Sequence, residues 1–201
     1  MIKRAFDLAL ATAGLIVSSP LWVLFAVAIK VEDGGPVFFA QERAGLGGRP
    51  FRALKFRSMT PDAEEGRGAV QAVEADPRVT RVGRLLRATA MDELPQLWNI
   101  ARGDMSFVGP RALRPGEIEF AGAGELVRLE DVPGYATRVS VRPGLTGLAQ
   151  IYAPRDLRRR QKFRYDRLYV RRRSMWLDLR LILVSFWISF LGTWEARGPK
   201  Y

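Results

Sequence analysis

Hydrophobic and polar positions divide this chain into a long apolar run, a central stretch of short mixed periods, and a second apolar stretch near the end. Residues 8–29 carry no ionisable side chain, and a helix of that length crosses roughly 30 Å of hydrocarbon. Ser18-Ser19-Pro20 falls at its middle, where proline removes a helix hydrogen bond and its ring crowds the preceding turn. Serine hydroxyls are able to bond the carbonyls that such a break frees. Each arm then has about ten residues, or about 15 Å, half of a bilayer core. The residues alone leave open a kinked spanning helix and a helix-break-helix hairpin that enters and leaves one face, with Ser19 and Pro20 at the break. Lys3 and Arg4 precede the run, while Lys30, Arg43, Arg49, Arg52, Lys55 and Arg57 follow it. Such flanks favour the cytoplasmic side at both ends. No small-residue cleavage site follows Ile29, which disfavours a cleaved leader.

Beyond the run, Glu32-Asp33-Gly34-Gly35-Pro36 reads as a turn. Two short strands, at 37–40 and 51–56, flank a glycine-rich loop at 45–48 and predict a β-hairpin. Residues 60–76 are polar and read as a loop or weak helix. Apolar residues at 79, 82, 85, 86 and 90 have helical spacing. A further helix is expected to begin at Asp92, with Pro95 in its first turn, and to end at Gly103-Asp104. Helices are also predicted over 115–128 and 156–169, with an irregular stretch at 142–147 between them. Residues 176–194 are apolar and aromatic, but their uncharged part, 181–194, is too short to span and suits the membrane interface. The fold class expected is α/β, mainly helical with a short β-hairpin: a membrane hairpin over 1–31 and a catalytic domain with membrane-surface helices over 32–201.

Composition narrows the chemistry. The 201 residues include no cysteine and no histidine, so disulfides, thiolate nucleophiles, Ser-His-Asp triads and imidazole metal sites are excluded. A formal net charge of +11 points to an anionic partner: nucleic acid, an acidic membrane surface or a phosphorylated substrate. Residues 155–173 hold ten Lys or Arg and two acids, a density suited to anionic lipid. Interleaved Tyr165, Tyr169 and Trp176 fit a membrane interface as readily as base stacking, and the adjoining apolar stretch favours the membrane.

Carboxylates are then the first candidates for covalent or acid/base work, and Asp92-Glu93 in the run Met91-Asp92-Glu93-Leu94-Pro95-Gln96 stands out. The plain alternative is a pair of first-turn acids that stabilise a helix dipole. Lys55 and Arg57, alternating on a strand, share one face, and with Arg87 they form a candidate phosphate clamp. Arg111 in a Gly-Pro-Arg turn is a further phosphate candidate. Arg142 and Gln150 flank a glycine-rich segment that a nucleotide can approach closely. Asp166 reads as a substrate or metal group, or as an anchor for a nearby arginine.

Ordered motifs over nearly the whole chain carry a family resemblance. They include Lys3-Arg4-Ala5-Phe6-Asp7, Ser19-Pro20, Gly35-Pro36-Val37-Phe38-Phe39 with Gln41 and Arg43, and Lys55-Phe56-Arg57-Ser58-Met59. Asp76-Pro77-Arg78-Val79-Thr80, residues 87–96, Gly103-Asp104-Met105-Ser106-Phe107-Val108-Gly109-Pro110-Arg111 and Arg142-Pro143-Gly144-Leu145-Thr146-Gly147-Leu148-Ala149-Gln150 follow, with Tyr165-Asp166 through Asp178 completing the set. The chain resembles the bacterial sugar transferases, or monotopic phosphoglycosyl transferases, and its length is similar to that of their minimal members. Leu148 stands where the family often has Trp, and Ala112 where Pro often follows the Pro-Arg pair.

The resemblance implies transfer of a sugar phosphate from a UDP-sugar to a polyprenol phosphate, with Mg2+ and release of UMP, at the cytoplasmic face of a bacterial inner membrane. It implies the re-entrant hairpin, attack by Asp92 on the sugar-bearing phosphorus, and Glu93 as metal ligand or proton-transfer group. Membrane phospholipid is the expected surface partner, nucleic acid is not expected, and oligomeric state is left open. Two rivals stand beside this reading: a non-catalytic basic membrane adaptor that binds anionic lipid or nucleic acid, and direct transfer in a ternary complex.

Overall fold

The computed structural model describes residues 1–61, 63, 76–122, 125–154 and 157–194. Most of the loop expected at 60–76 therefore lies outside the described residues.

Helix α1 (Ile2–Asp33) is a single element with Pro20 inside it, so the helix-break-helix expected at Ser19-Pro20 is corrected to a continuous helix. The reason is local. Pro20 has no N–H for the Ile16 carbonyl, and the Ser19 hydroxyl donates to that oxygen instead, at 2.8 Å. Ser18 Oγ accepts from Trp22 Nε1 at 3.0 Å. Gly34, in the left-handed region at φ 71°, ends the helix by donating to the Lys30 carbonyl.

One stripe of α1, through Arg4, Asp7, Ala11, Gly14, Ser18, Trp22, Phe25, Ile29 and Glu32, advances by threes and fours and faces the rest of the protein. The other face, with Ile16, Val17, Val23, Leu24, Val27 and Val31, is exposed. Helix α1 packs closely at Gly14, where an added Cβ would meet Leu97 Cδ1 at 3.1 Å and displace it by a few tenths of an ångström.

The predicted hairpin forms between β1 (Phe38–Ala44) and β2 (Pro50–Phe56), antiparallel with Phe38 opposite Phe56 and Ala44 opposite Pro50. Helix α2 (Arg81–Ala88) is capped by Thr80, whose hydroxyl accepts from Gly83 N at 2.9 Å. Helix α3 spans Gln96–Arg102. The dyad lies one turn before it, in a 3-10 turn over Met91–Glu93, rather than at the helix start as expected.

Residues 115–128 are not a helix. Strand β3 (Ser106–Val108) precedes β4 (Ile118–Gly122) and β5 (Glu125–Arg128), and the last two pair as a hairpin with Ile118 opposite Arg128. Glycines at 116, 122 and 124 weaken a helix there, and Ile118 and Phe120 alternate as a strand requires. After α4 (Tyr135–Val139), part of the stretch read as irregular forms β6 (Gly144–Thr146), parallel to β3 with Ser106 opposite Gly144. Glycine at 144 permits this approach, since a Cβ would come 2.0 Å from Gly109 N. Helix α5 (Leu148–Tyr152) leads to α6 (Arg159–Arg172), three residues later than expected, and α7 (Met175–Leu191) closes the fold.

The main core joins Ala11, Leu97, Ile100, Met105, Val108, Tyr169 and Leu181. A second cluster sets Trp22, Phe25 and Ile29 against Phe56 and Leu86, with the Trp22 and Phe56 rings edge-on at 5.4 Å. Helix α7 buries Leu181, Ile182 and Ile188 while exposing Trp176, Leu183, Phe186, Trp187 and Phe190.

Candidate active site

The dyad is set by its neighbours on both sides. Met91 and Leu94 pack on the Phe56 and Leu86 cluster, which turns the residues between them toward β2. Ala90, just before, has φ 56°, the one non-glycine in the left-handed region among the described residues. This conformation costs about 1–2 kcal/mol and marks a position held by its surroundings.

Buried Asn99 then fastens α3 to β2. Its Oδ1 accepts from Leu54 N at 2.9 Å, and its Nδ2 donates to the Arg52 carbonyl at 2.8 Å and to Asp104 at 3.1 Å. These bonds place Lys55 over the dyad. Lys55 Nζ lies 2.5 Å from Glu93 Oε1 and 3.6 Å from Asp92 Oδ2. Arg111, three residues past β3, donates from Nη2 to the same Glu93 oxygen at 2.7 Å.

The two carboxylates are buried alike but held differently. Burial pushes the Asp92 carboxyl up, and the charge of Glu93 adds to the rise against Lys55, Arg87 and Arg111. Burial also opposes ionisation of Glu93, but Arg111 and Lys55 outweigh it by charge and hydrogen bonds and hold Glu93 far below the usual carboxylate range. Glu93 is thus a fixed anion. Asp92 is a buried carboxylate at higher energy, with Lys55 as its ion-pair partner.

Lys55, Arg87, Asp92, Glu93 and Arg111 are therefore brought together, Arg87 acting on Asp92 through charge from the last turn of α2. Other expected site residues stand elsewhere. Arg57 pairs with Asp33 at the end of α1, Nη1 to Oδ2 at 2.9 Å, and donates from Nε to the Pro36 carbonyl. Arg142 donates from Nε to the Gly103 carbonyl at 2.8 Å, and Gln150 sits in α5 beside Gly147. Asp166 anchors buried Arg138, Nε to Oδ2 at 3.1 Å, the arginine-anchor reading of that residue.

Three useful residues were not among the expected site residues, Arg43 having counted only as a flanking charge and part of a family motif. Asn99 lay inside an apolar helical pattern, where a polar residue signals a buried fastening. Arg138 donates from Nη2 to the Arg111 carbonyl at 2.5 Å and stacks over Phe163, 4.7 Å from the ring centre. Arg43 donates to the Ala112 carbonyl at 3.1 Å, and burial, with the charges of Arg111 and Arg114, brings its guanidinium down to about 10. Arg43, Lys55, Glu93 and Arg111 line a cavity of about 20 Å³, room for one water-sized group.

The chemistry of this donor set fits a hard divalent cation shared with a substrate phosphate. Both cationic side chains bond Glu93 Oε1, which would leave Glu93 Oε2 to such a cation. Among the described residues no group of three or more acids forms an all-protein cage, and Mg2+ typically takes one or two carboxylates plus phosphate oxygens.

The turn thus presents one loosely held and one fixed carboxylate amid cations. The sequence model of the bacterial sugar transferases matches residues 1–192, and the chain belongs to that family. It is 44% identical over 90% of its length to a UDP-glucose:undecaprenyl-phosphate glucose-1-phosphate transferase of Caulobacter vibrioides, covering 67% of that protein. It is 43% identical over 91% of its length to an undecaprenyl-phosphate glucose phosphotransferase of Komagataeibacter xylinus, covering 35% of it. Exopolysaccharide production protein PSS of Rhizobium leguminosarum is 40% identical and is 92% covered.

Proposed function

We propose that this chain moves a sugar-1-phosphate from a UDP-sugar to a polyprenol phosphate, giving a polyprenyl-diphospho-sugar and UMP. The names of its relatives supply the reaction class. The observation that carries the residue assignment is the contrast within the dyad: Glu93 bonded to Lys55 and Arg111, Asp92 buried and 3.6 Å from Lys55.

In this reading an Asp92 carboxylate oxygen attacks the sugar-bearing phosphorus. The bond from that phosphorus to the UMP oxygen breaks, and UMP leaves with the electron pair. An oxygen of the polyprenol phosphate then attacks the same phosphorus, and the acyl phosphate bond breaks to restore the Asp92 carboxylate. Lys55, Arg87 and Arg111 bind and orient phosphate oxygens. Glu93 holds Lys55 and Arg111 in place. When bound by Glu93 and substrate phosphate, Mg2+ would neutralise charge on the transferring group.

The same reading places the protein on the cytoplasmic face of the inner membrane as a monotopic protein. Helix α1 is long and apolar enough to cross a membrane, and at about 48 Å it exceeds the hydrocarbon core. Yet both its ends are tied to one catalytic body: Lys3 to Asp178 at 2.6 Å, and Asp33 to Arg57. With the exposed aromatic face of α7, this supports insertion into one leaflet, with phospholipid as surface partner.

The test is incubation of the purified chain with a labelled UDP-sugar in the absence of acceptor, followed by intact mass measurement. A sugar-phosphate adduct with release of UMP is expected. Turnover without an adduct would move the reaction to a ternary complex, and no UMP release with any UDP-sugar would favour the adaptor reading.

A further inference from the structure

Four charged groups of the site sit on, or one turn from, four different elements: Lys55 in β2, Arg87 in α2, Glu93 before α3, and Arg111 after β3. Each of these elements is gripped by a polar residue of α1. At the first end, Arg4 donates to the Ile100 and Ala101 carbonyls of α3 at 2.5 and 2.6 Å. Asp7, 2% exposed, accepts from Ser106 Oγ and Phe107 N of β3, both at 3.1 Å. At the other end, Glu32 accepts from Arg81 N and Val82 N at the start of α2, at 2.6 and 3.0 Å. Asp33 pairs with Arg57, two residues past Lys55.

We propose that α1 is the strut that assembles the active site, and that Arg4, Asp7, Glu32 and Asp33 are its positioning residues. The proposal rests on the transferase reading above. Apolar contact along the inner stripe supplies adhesion but no fixed register, since it is non-directional. Directional bonds to carbonyls and amide hydrogens supply the register. The grips also divide the site. The first pair holds the Glu93 and Arg111 side, the second holds the Lys55 and Arg87 side, and Pro20 stands between them with its orphaned carbonyl closed by Ser19. Loss of either pair therefore loosens its side of the site.

The experiment uses the full chain in phosphatidylcholine nanodiscs, with kcat and KM for UMP release as separate readouts. The double variant Glu32→Ala/Asp33→Ala leaves the buried apolar stripe intact but strands the buried Arg57 guanidinium, so its unfolding midpoint falls by roughly 10 °C and rates are read well below it. Its kcat is expected to fall about 100-fold, the scale of an ångström of misplacement, with KM for the UDP-sugar changed far less. Asp33→Glu, which retains the pair with Arg57, recovers most of the rate. A double variant that keeps the wild-type kcat overturns the inference, as does one whose loss lies in KM alone. Absence of UMP release from the wild type would instead strike the transferase reading.

Discussion

Two regions of this molecule bury carboxylates, the seam where α1 meets β3 and α7, and the dyad. In the seam, Asp7 and Asp178 are 2% and 1% exposed. Asp178 accepts from Lys3 at 2.6 Å and from the Tyr169 hydroxyl at 2.8 Å, and Tyr169 also donates to the Val108 carbonyl. At the dyad, Asp92 and Glu93 are 7% and 9% exposed. Glu93 is bonded like a seam residue, but Asp92 has Lys55 at 3.6 Å in place of a close donor. A buried anion is stabilised only when it is paired and hydrogen-bonded. Its pairing thus separates structural from chemical use, where burial does not.

The largest expected break in this comparison is Asp92→Asn. Transfer falls by about 10⁴-fold or more, as for loss of a covalent nucleophile, while stability at neutral pH rises by about 1 kcal/mol because an ill-compensated charge is removed. Urea unfolding in detergent with a chelator measures the second effect. Asp178→Ala has the reverse profile. It leaves Lys3 short of a partner and a buried space unfilled, while the Tyr169 hydroxyl keeps the Val108 carbonyl, and costs about 2–3 kcal/mol, with Lys3 partly rehydrated. The sugar-phosphate adduct on Asp92 still forms.

Glu93→Gln costs less stability than Asp178→Ala, about 1–2 kcal/mol, since Arg111 is half-exposed and regains water. Its pH dependence sharpens the contrast inside the dyad. Asp92 is raised in the folded state by burial, so its penalty is absent below its unfolded value and grows as pH rises through the folded one. The advantage of Asp92→Asn therefore vanishes near about pH 4. Glu93 is lowered against its own burial by Arg111 and Lys55, so its stabilisation is full above the unfolded value and is lost only as pH falls through the folded one. The deficit of Glu93→Gln persists where that advantage has gone.

Several parts of this arrangement were legible in the chain. The hairpin before and after the glycine loop, the amphipathic helix at 81–88 and the apolar final helix follow local periodicity, which a single segment carries by itself. The dyad stood out because the absence of His and Cys leaves carboxylates as candidates. Residues 115–128 misled, because three glycines and a strand alternation compete with a weak helical spacing, and pairing across the turn decides between them. Arg57 misled for another reason. Alternation places it on a strand face with Lys55, but the carboxylate that claims it, Asp33, ends a different element.

By itself the sequence determined the apolar helix and its serine-proline step, the excess of positive charge, the carboxylates as candidates and the family. These depend on composition and on spacing between near neighbours. Only the tertiary structure decided that Ser19 would close the carbonyl opened by Pro20, that Glu93 rather than Asp92 would take both Lys55 and Arg111, and that Asp166 would serve Arg138. Each of these is a choice of partner among groups of the same charge or bonding capacity. Spacing along a chain does not rank such partners; the distance and burial that come with packing do.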